Sequence, residues 1–226
     1  MTLAIKRALD VLVALVSLAV LAPLVALIAV AIKIESPHLP LFFNDVVMGR
    51  SARQFRMFKF RTMLPHAIDY ANRPEVTGPN PLVTRVGRVL RRFKLDEVPQ
   101  LVNVLRGDMS LVGPRPMDPT RYERATEFQR QRLLMRPGLT GWAQVNGNIN
   151  WSWDTRMEMD VWYIANWSLA LDARILAMTV PVLILSERTR DVGSRRITDT
   201  NFRVGRPGAA LMRPGESAEK TKGAHI

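Results

Sequence analysis

An uncharged apolar run near the N-terminus constrains the fold of this chain more than any other feature. The run covers residues 11–32, VLVALVSLAVLAPLVALIAVAI, and charged residues flank it on both sides. A helix of this length extends about 33 Å, enough for the roughly 30 Å hydrocarbon layer of a bilayer. A cleaved signal peptide is the weaker interpretation, because the run is long for a signal core and no small-residue cleavage site closes it. The run therefore predicts a segment that lies in a membrane.

Pro23 lies close to the middle of this run. Proline removes a helical hydrogen bond and kinks the helix, and each of the two resulting arms is too short to cross a bilayer. Lys6 and Arg7 precede the run and a strongly basic stretch follows it. Positive charge on both flanks disfavours crossing. The residues alone leave a re-entrant helix-break-helix and a kinked spanning helix equally open.

The 226-residue chain has a net charge of +12, and most of the excess lies between residues 50 and 94, which contain 11 basic and 2 acidic side chains. A basic stretch of this density suits nucleic acid, anionic lipid or a phosphorylated ligand. The chain has no cysteine and only three scattered histidines. A disulfide framework and a cysteine nucleophile are therefore excluded, and the scattered histidines disfavour a histidine-rich metal site.

The adjacent carboxylates Asp96 and Glu97 follow directly after the basic stretch. Apolar side chains then repeat at helical spacing as far as Gly107, so the pair is predicted to open a helix with Asp96 as its N-cap. The plainest interpretation is an N-cap and a first-turn acid favoured by the helix dipole. The alternative is a phosphate site in which the two carboxylates bind Mg²⁺ or attack phosphorus. The spacing alone leaves both open.

Further cationic positions are candidates for binding phosphate. Arg115 lies between two prolines, whose fixed φ angles would pre-organise its guanidinium, although an exposed loop arginine would look the same in sequence. Lys59 and Arg61 lie in an alternating aromatic and cationic segment that predicts a short strand, and this segment could equally pack on lipid headgroups. Residues 84–93 predict a basic amphipathic helix that faces a ligand or a membrane surface.

Five segments resemble, in order and spacing, the bacterial sugar transferase family, the monotopic polyprenyl-phosphate phosphoglycosyltransferases. They are KRALD at 6–10, KFRTM at 59–63, TRVGRVLRRFKLDEVPQLVNVLRGDMSLVGPRP at 84–116, RPGLTGWAQVNG at 136–147 and DVWY at 160–163. The block LDE-x-PQL-x-NVL-x-GDMS-x-VGPRP is the most specific of them. The resemblance covers about residues 5–185 and indicates the small, single-domain type.

The resemblance implies an enzyme that transfers a sugar 1-phosphate from a UDP-sugar to undecaprenyl phosphate and releases UMP. Such an enzyme initiates an exopolysaccharide, capsule or O-antigen type of glycan. The resemblance makes Asp96 the nucleophile of a covalent aspartyl-phosphosugar intermediate and Glu97 a ligand of Mg²⁺. Asp160 is expected in or near the site, with an Asp96 carboxylate kept at low pKa by cations. The predicted phosphate-binding residues are Lys59, Arg61, Arg91 and Arg115.

The predicted fold is α/β: a mostly helical monotopic membrane domain with a small sheet element and an N-terminal re-entrant helix-break-helix, which the resemblance to the family favours over a spanning helix. Residues 1–35 would form the membrane helix hairpin, 36–186 a catalytic domain with interfacial helices, and 187–226 a basic, partly disordered tail. Within the catalytic domain, residues 119–135 predict one amphipathic helix. The expected location is the cytoplasmic face of the bacterial inner membrane. Membrane lipids are expected partners and nucleic acid is not; a homodimer and contacts with downstream glycosyltransferases are left open.

Several positions depart from the usual pattern of the family: Ala22, Asp45, Val47, Leu82 and Asn148. They bear on the membrane kink, on donor-sugar contacts and on local loops, and none lies in the specific block. A membrane-tethered nucleic-acid-binding module, suggested by the basic stretch, is the alternative function, and a non-catalytic lipid-surface scaffold is a third. The intact acidic pair favours the enzyme.

Overall fold

The computed structural model describes residues 2–65, 82–147 and 151–185. This part of the chain is mostly helical with a small sheet component, as predicted. The helices are α1 (Thr2–Glu35), α2 (Arg85–Arg92), α3 (Gln100–Arg106), α4 (Pro119–Arg124), α5 (Glu127–Arg130), α6 (Trp142–Val145), α7 (Trp153–Ala165) and α8 (Leu169–Leu185). The strands are β1 (Phe42–Met48), β2 (Gln54–Phe60), β3 (Ser110–Val112) and β4 (Gly138–Thr140). The predicted tail and Asn148 lie outside the described residues.

The apolar run forms one helix, α1, with Pro23 inside it. By length and composition this helix could cross a membrane, and the mean hydropathy of its most apolar window is 3.0. Its outward face is apolar and exposed, with side chains that include Leu12, Leu15, Val16, Val20, Leu27 and Val30. Because helical backbone continues across Pro23, the re-entrant break stays a prediction.

The inward face of α1 packs against the rest of the chain along most of its length. Ala14 is fully buried in the central core with Val104 and Tyr163. Towards the C-terminal end of α1, Ile28 belongs to a second buried cluster with Phe60. The helix therefore lies across the globular part and does not project from it.

The strands β1 and β2 form an antiparallel hairpin in which Phe43 pairs with Lys59. The side chain of Asn103 on α3 fixes this hairpin. Its Oδ1 accepts the N–H of Phe58 at 3.0 Å, and its Nδ2 donates to the carbonyl of Arg56 at 2.8 Å. These two hydrogen bonds hold the end of β2, and with it Lys59, beside α3.

In space, the N-terminus of α2 lies against the C-terminus of α1. The Thr84 hydroxyl is the N-cap and accepts the N–H of Gly87 at 2.9 Å. The Glu35 carboxylate, at the end of α1, accepts the N–H groups of Arg85 at 2.7 Å and Val86 at 2.9 Å. A carboxylate at a helix N-terminus satisfies unpaired donors and suits the helix dipole. The predicted basic helix is confirmed.

Three glycines bring the segment before Arg115 into backbone contact with β4. A Cβ atom on Gly113 would lie 2.4 Å from the Arg136 carbonyl oxygen, and one on Gly138 would lie 2.1 Å from the Gly113 nitrogen. A Cβ atom on Gly141 would lie 2.1 Å from the Gly113 carbonyl oxygen. Since the obstructing atoms belong to backbone, only glycine fits, and this close approach positions the loop that carries Arg115.

Candidate active site

The acidic pair lies in a short 3-10 turn, Leu95–Glu97, between α2 and α3. Lys94 precedes the turn in a left-handed conformation (φ 57°), which ends the continuity with α2. Helix α3 begins only at Gln100, with Pro99 as its N-cap. The prediction that Asp96 caps this helix is therefore wrong, because the pair has a turn of its own.

The Asp96 carboxyl group is only partly exposed, and its Oδ1 is buried with no hydrogen-bond partner among the described residues. Such an oxygen is costly unless a ligand, metal ion or water satisfies it. Burial raises the pKa of Asp96, and the charge of Glu97 raises it further. Lys59, Lys94 and Arg91 offset only part of this rise. The prediction of a low pKa is wrong for Asp96, because loss of solvation outweighs the cations.

Glu97 is the carboxylate that forms ion pairs with the nearby cations. Its Oε1 lies 3.5 Å from Lys59 Nζ and 3.8 Å from Arg115 Nη2. Burial acts to raise the pKa of Glu97, but Lys59, Arg115 and Lys94 outweigh it and lower the pKa to about 2. Glu97 is therefore an anion at neutral pH, and it brings two of the predicted phosphate-binding residues together.

The other two predicted phosphate-binding arginines differ in position. Arg91 lies close enough to the acidic pair to affect its charge state, and its Nε donates to Thr62 Oγ1 at 2.9 Å. Arg61 Nε donates to the carbonyl of Pro40 at 3.0 Å, and its guanidinium lies 5.8 Å from the centre of the Phe43 ring. The structure thus places Arg91 at the site and directs Arg61 towards β1 and the segment before it.

Asp160 on α7 forms a buried ion pair with Arg132, a residue that the sequence analysis does not single out. Both side chains are about 1% exposed. Arg132 Nη2 also donates to the carbonyl of Arg115 at 2.6 Å, and Asp160 Oδ2 accepts the N–H of Arg115 at 3.3 Å. The pair therefore binds both the N–H and the carbonyl of Arg115, while the side chain of Arg115 reaches Glu97. Burial raises the pKa of Asp160 to about 6 against the opposing charge of Arg132.

No cluster of three or more His, Cys, Asp or Glu side chains within residues 2–65, 82–147 and 151–185 could hold a metal ion. Mg²⁺, however, is commonly bound by one or two carboxylates and completed by substrate phosphates and water. Asp96 and Glu97 supply two carboxylates, and the unpartnered Oδ1 of Asp96 is an oxygen that still needs a partner. The residues present therefore fit Mg²⁺ bound together with a phosphorylated substrate.

The fold and the site together define a class of protein. A long apolar helix lies along the globular part, and an acidic pair with one unpartnered oxygen lies among lysine and arginine side chains. Carboxylates in such a place can attack phosphorus, and the cations can bind phosphate oxygens. This arrangement is that of a transferase that acts on a phosphate-linked substrate.

Comparison with known proteins identifies the family. The family model described as Bacterial sugar transferase matches residues 1–186. The chain belongs to the bacterial sugar transferase family, as predicted, and is a transferase enzyme.

Three relatives illustrate the match. The uncharacterized sugar transferase EpsL of Bacillus subtilis (strain 168) is 42% identical over 172 residues, 75% of this chain and 82% of the relative. The UDP-N-acetylgalactosamine-undecaprenyl-phosphate N-acetylgalactosaminephosphotransferase of Aeromonas hydrophila is 41% identical over 186 residues, 80% of this chain and 44% of the relative. The exopolysaccharide production protein PSS of Rhizobium leguminosarum bv. phaseoli is 37% identical over 205 residues, 85% of this chain and 100% of the relative. The chain thus spans less than half of the Aeromonas protein.

Proposed function

We propose that the chain transfers a sugar 1-phosphate from a UDP-sugar to undecaprenyl phosphate, releases UMP, and so initiates an exopolysaccharide type of glycan. The name of the Aeromonas relative includes a UDP-sugar and undecaprenyl phosphate, and that of the Rhizobium relative refers to exopolysaccharide production. The observation that carries the proposal is the buried Oδ1 of Asp96, which has no partner among the described residues. It lies beside Glu97, which forms ion pairs with Lys59 and Arg115.

The proposed reaction has two displacements at one phosphorus atom. In the first, a carboxylate oxygen of Asp96 attacks the sugar-bearing phosphorus, a bond from oxygen to phosphorus forms, and the diphosphate bond to UMP breaks. In the second, a phosphate oxygen of undecaprenyl phosphate attacks the same phosphorus and releases the Asp96 carboxylate. The product is undecaprenyl diphosphate sugar. A covalent intermediate allows the bulky lipid acceptor to bind after UMP has left.

The remaining residues have proposed roles in binding charge. Lys59 and Arg115, which form ion pairs with Glu97, would contact the diphosphate, and Arg91, whose charge acts on Asp96, would also contact phosphate. Asp96 and Glu97 would hold Mg²⁺, which when bound would neutralise the diphosphate. The buried pair of Asp160 and Arg132 would keep Arg115 in position through its main chain.

We infer that α1 is re-entrant and that the protein is monotopic on the cytoplasmic face of the inner membrane. Near the beginning of α1, Lys6 Nζ lies 2.7 Å from Asp172 Oδ2, and near its end Ile32 packs in one cluster with Leu90. A single globular part therefore contacts both ends of α1. Crossing a bilayer about 30 Å thick would pull this charged globular part into the hydrocarbon, which is costly.

The topology can be tested by cysteine labelling, since the chain has no cysteine of its own. Thr2→Cys and His38→Cys place one thiol at each end of α1, at exposed positions. A membrane-impermeant maleimide should label both thiols in inverted inner-membrane vesicles and neither in intact spheroplasts. Labelling of the two thiols from opposite sides would contradict the re-entrant proposal.

The reaction is tested by UMP release from purified protein in nanodiscs with Mg²⁺ and a panel of UDP-sugars. Without acceptor, the correct donor should give a burst of UMP no larger than the amount of enzyme. Addition of undecaprenyl phosphate should convert this burst into sustained release. Absence of UMP with every donor, while a relative with known activity works under the same conditions, would contradict the proposal.

A further inference from the structure

We propose that Arg7, Arg50 and Arg136 form a binding site for the phosphate group of an anionic phospholipid, at the end of the globular part that lies away from Asp96. The three arginines come from α1, from the tip of the hairpin of β1 and β2, and from the segment before β4. The site is separate from the acidic pair and does not depend on the transfer reaction.

The three side chains meet near Gly107, directly after α3. Arg136 Nε donates to the Gly107 carbonyl at 2.7 Å, and Arg7 Nη2 lies 3.5 Å from the place where a Gly107 Cβ would be. Arg50 lies close enough for its charge to act on Arg136, as does that of Arg7. Burial, followed by these two like charges, lowers the pKa of Arg136. Three guanidinium groups that repel one another are stabilised by an anion that binds between them.

The arginine site and the acidic pair lie near opposite ends of two elements, α3 and β2. Asp96 precedes α3 and Gly107 follows it, and the helix between them extends about 10 Å. Arg50 lies at the tip of the hairpin, whereas Lys59 lies near the other end of β2, about 17 Å along the strand. A ligand at the arginine site would therefore not be part of the donor diphosphate bound at Asp96.

The arginine site has room for a ligand and an excess of positive charge. A cavity of about 440 Å³ is lined by Arg50, Arg53 and Arg136 together with Asp108, and a smaller one of about 40 Å³ adds Arg7. In the described part of the chain, Arg50 and Arg53 have no side-chain hydrogen-bond or ion-pair partner. Asp108 already accepts a hydrogen bond from an amide nitrogen at 3.3 Å. Asp10, which lines the smaller cavity, likewise accepts hydrogen bonds from Ser110 and Leu111, so the arginines outnumber the carboxylates at the site.

The occupant is identified as a phospholipid by its apolar surroundings. Leu3 on α1 and Leu134 line the smaller cavity beside Arg7. Leu3 is 42% exposed, near the start of the same helix whose outward face is apolar and exposed. A ligand with a phosphate at the arginines and an acyl chain along α1 would satisfy both surfaces at once. Cytoplasmic leaflets supply such anionic lipids.

Arg7 and Arg136 also have structural contacts, so the test uses Arg50 together with Arg53, which lines the same cavity. Arg7 donates to the carbonyls of Val104 at 2.7 Å and Leu105 at 3.0 Å, at the C-terminus of α3. Replacing it would remove both hydrogen bonds from the last turn of α3. Arg50 and Arg53 are exposed, so Arg50→Gln/Arg53→Gln should melt at the same temperature as the unaltered chain in lipid-free detergent.

The experiment is native mass spectrometry of the full chain in a mild detergent with an equimolar mixture of phosphatidylglycerol and phosphatidylcholine of identical acyl chains. The unaltered chain should retain phosphatidylglycerol about tenfold more than phosphatidylcholine, since a charge-assisted contact contributes on that scale. Arg50→Gln/Arg53→Gln should lose the preference. Arg124→Gln/Arg174→Gln, which removes two exposed charges on α4 and α8, should keep it.

Two outcomes would overturn the proposal. Equal retention of both lipids by the unaltered chain would show that no anionic headgroup is recognised, and an undiminished preference in Arg50→Gln/Arg53→Gln would place recognition elsewhere. A third arm adds glycerol 1-phosphate to the lipid mixture. If this soluble phosphate displaces phosphatidylglycerol at equal concentration, the acyl chain contributes nothing and the site is one for free phosphate esters.

Discussion

Asp96→Asn is expected to reduce UMP release by about 10³-fold or more, because an amide cannot take the place of the attacking carboxylate. The substitution preserves the size and shape of the side chain, so the variant should still fold. The initial rate is measured in nanodiscs with undecaprenyl phosphate and the UDP-sugar that the unaltered chain uses. Incubation with donor alone should add the mass of one sugar phosphate to the unaltered chain and none to the variant.

The matched control is Glu123→Gln, which removes one negative charge from an exposed position on α4. Its rate and its covalent adduct should be those of the unaltered chain. A normal rate in Asp96→Asn, or an adduct of the same mass, would contradict the proposal that Asp96 is the nucleophile.

Glu97→Gln distinguishes the role of Glu97 from that of Asp96. The charge of Glu97 raises the pKa of Asp96, so its removal should move the acid side of the pH-rate profile to lower pH. The same change frees Lys59 and Arg115 and weakens a ligand of Mg²⁺, so the Mg²⁺ concentration needed for half the maximal rate should rise. The adduct should still form on Asp96, because the nucleophile is intact.

The acidic pair could be predicted from the sequence, but its local structure could not. The spacing of apolar residues correctly indicates a helix that ends before Gly107. It does not reveal that Lys94 adopts a left-handed conformation, which places Asp96 and Glu97 in a separate turn. The pKa of Asp96 was predicted in the wrong direction for a related reason. The number of nearby cations can be counted in the sequence, whereas the degree of burial depends on the packing of β2 and α3.

The predicted single helix over residues 119–135 is wrong in the same way. The structure has α4, α5 and a 3-10 turn in this range. Asp118 caps α4 and Thr126 caps α5, each by accepting a backbone N–H, and Ala125 between them is extended (ψ 137°). The apolar periodicity is compatible with one helix, but the second cap residue stops it.

Two buried charged residues could not be predicted from sequence patterns, because their ion-pair partners are distant in the chain. Nothing in the local sequence distinguishes the buried Arg132 from the half-buried Arg130 and Arg136 around it, because its partner Asp160 lies 28 residues away. Lys6 is another example: its flanking position suggests a charge at a membrane boundary, yet its side chain is buried against Asp172. Such pairs form only through tertiary packing, so the partner of a buried charge cannot be identified from a single sequence.

Lys6→Met is expected to lower the free energy of unfolding by about 3–5 kcal/mol, because removing one partner of a buried ion pair leaves the other charge without compensation. Lys6 Nζ lies 2.7 Å from Asp172 Oδ2 and also donates to the carbonyl of Val112 at 3.1 Å. Both residues are about 7% exposed. The melting temperature in one detergent should fall by roughly 10 °C.

Lys33→Met is the matched control, since it makes the same substitution on the same helix. Lys33 is exposed, and among the described residues it donates only to the carbonyls of Pro37 and Leu39. Its loss should change the free energy of unfolding by less than about 1 kcal/mol. A similar fall in melting temperature for both variants would show that the effect comes from α1 in general and not from the buried pair.

The double variant Lys6→Met/Asp172→Leu tests whether the loss comes from the pair itself. Tyr163 OH donates to Asp172 Oδ1 at 2.6 Å, and Trp167 Nε1 donates to Oδ2 at 3.2 Å, so Asp172 keeps two donors when Lys6 is removed. These donors do not neutralise its charge. Removing the carboxylate as well should therefore cost less than the sum of the two single variants. An additive result would mean that the ion pair adds no stability of its own, and that α1 is held on β3, which leads to Arg115, by other contacts such as the hydrogen bonds from Ser110 and Leu111 to Asp10.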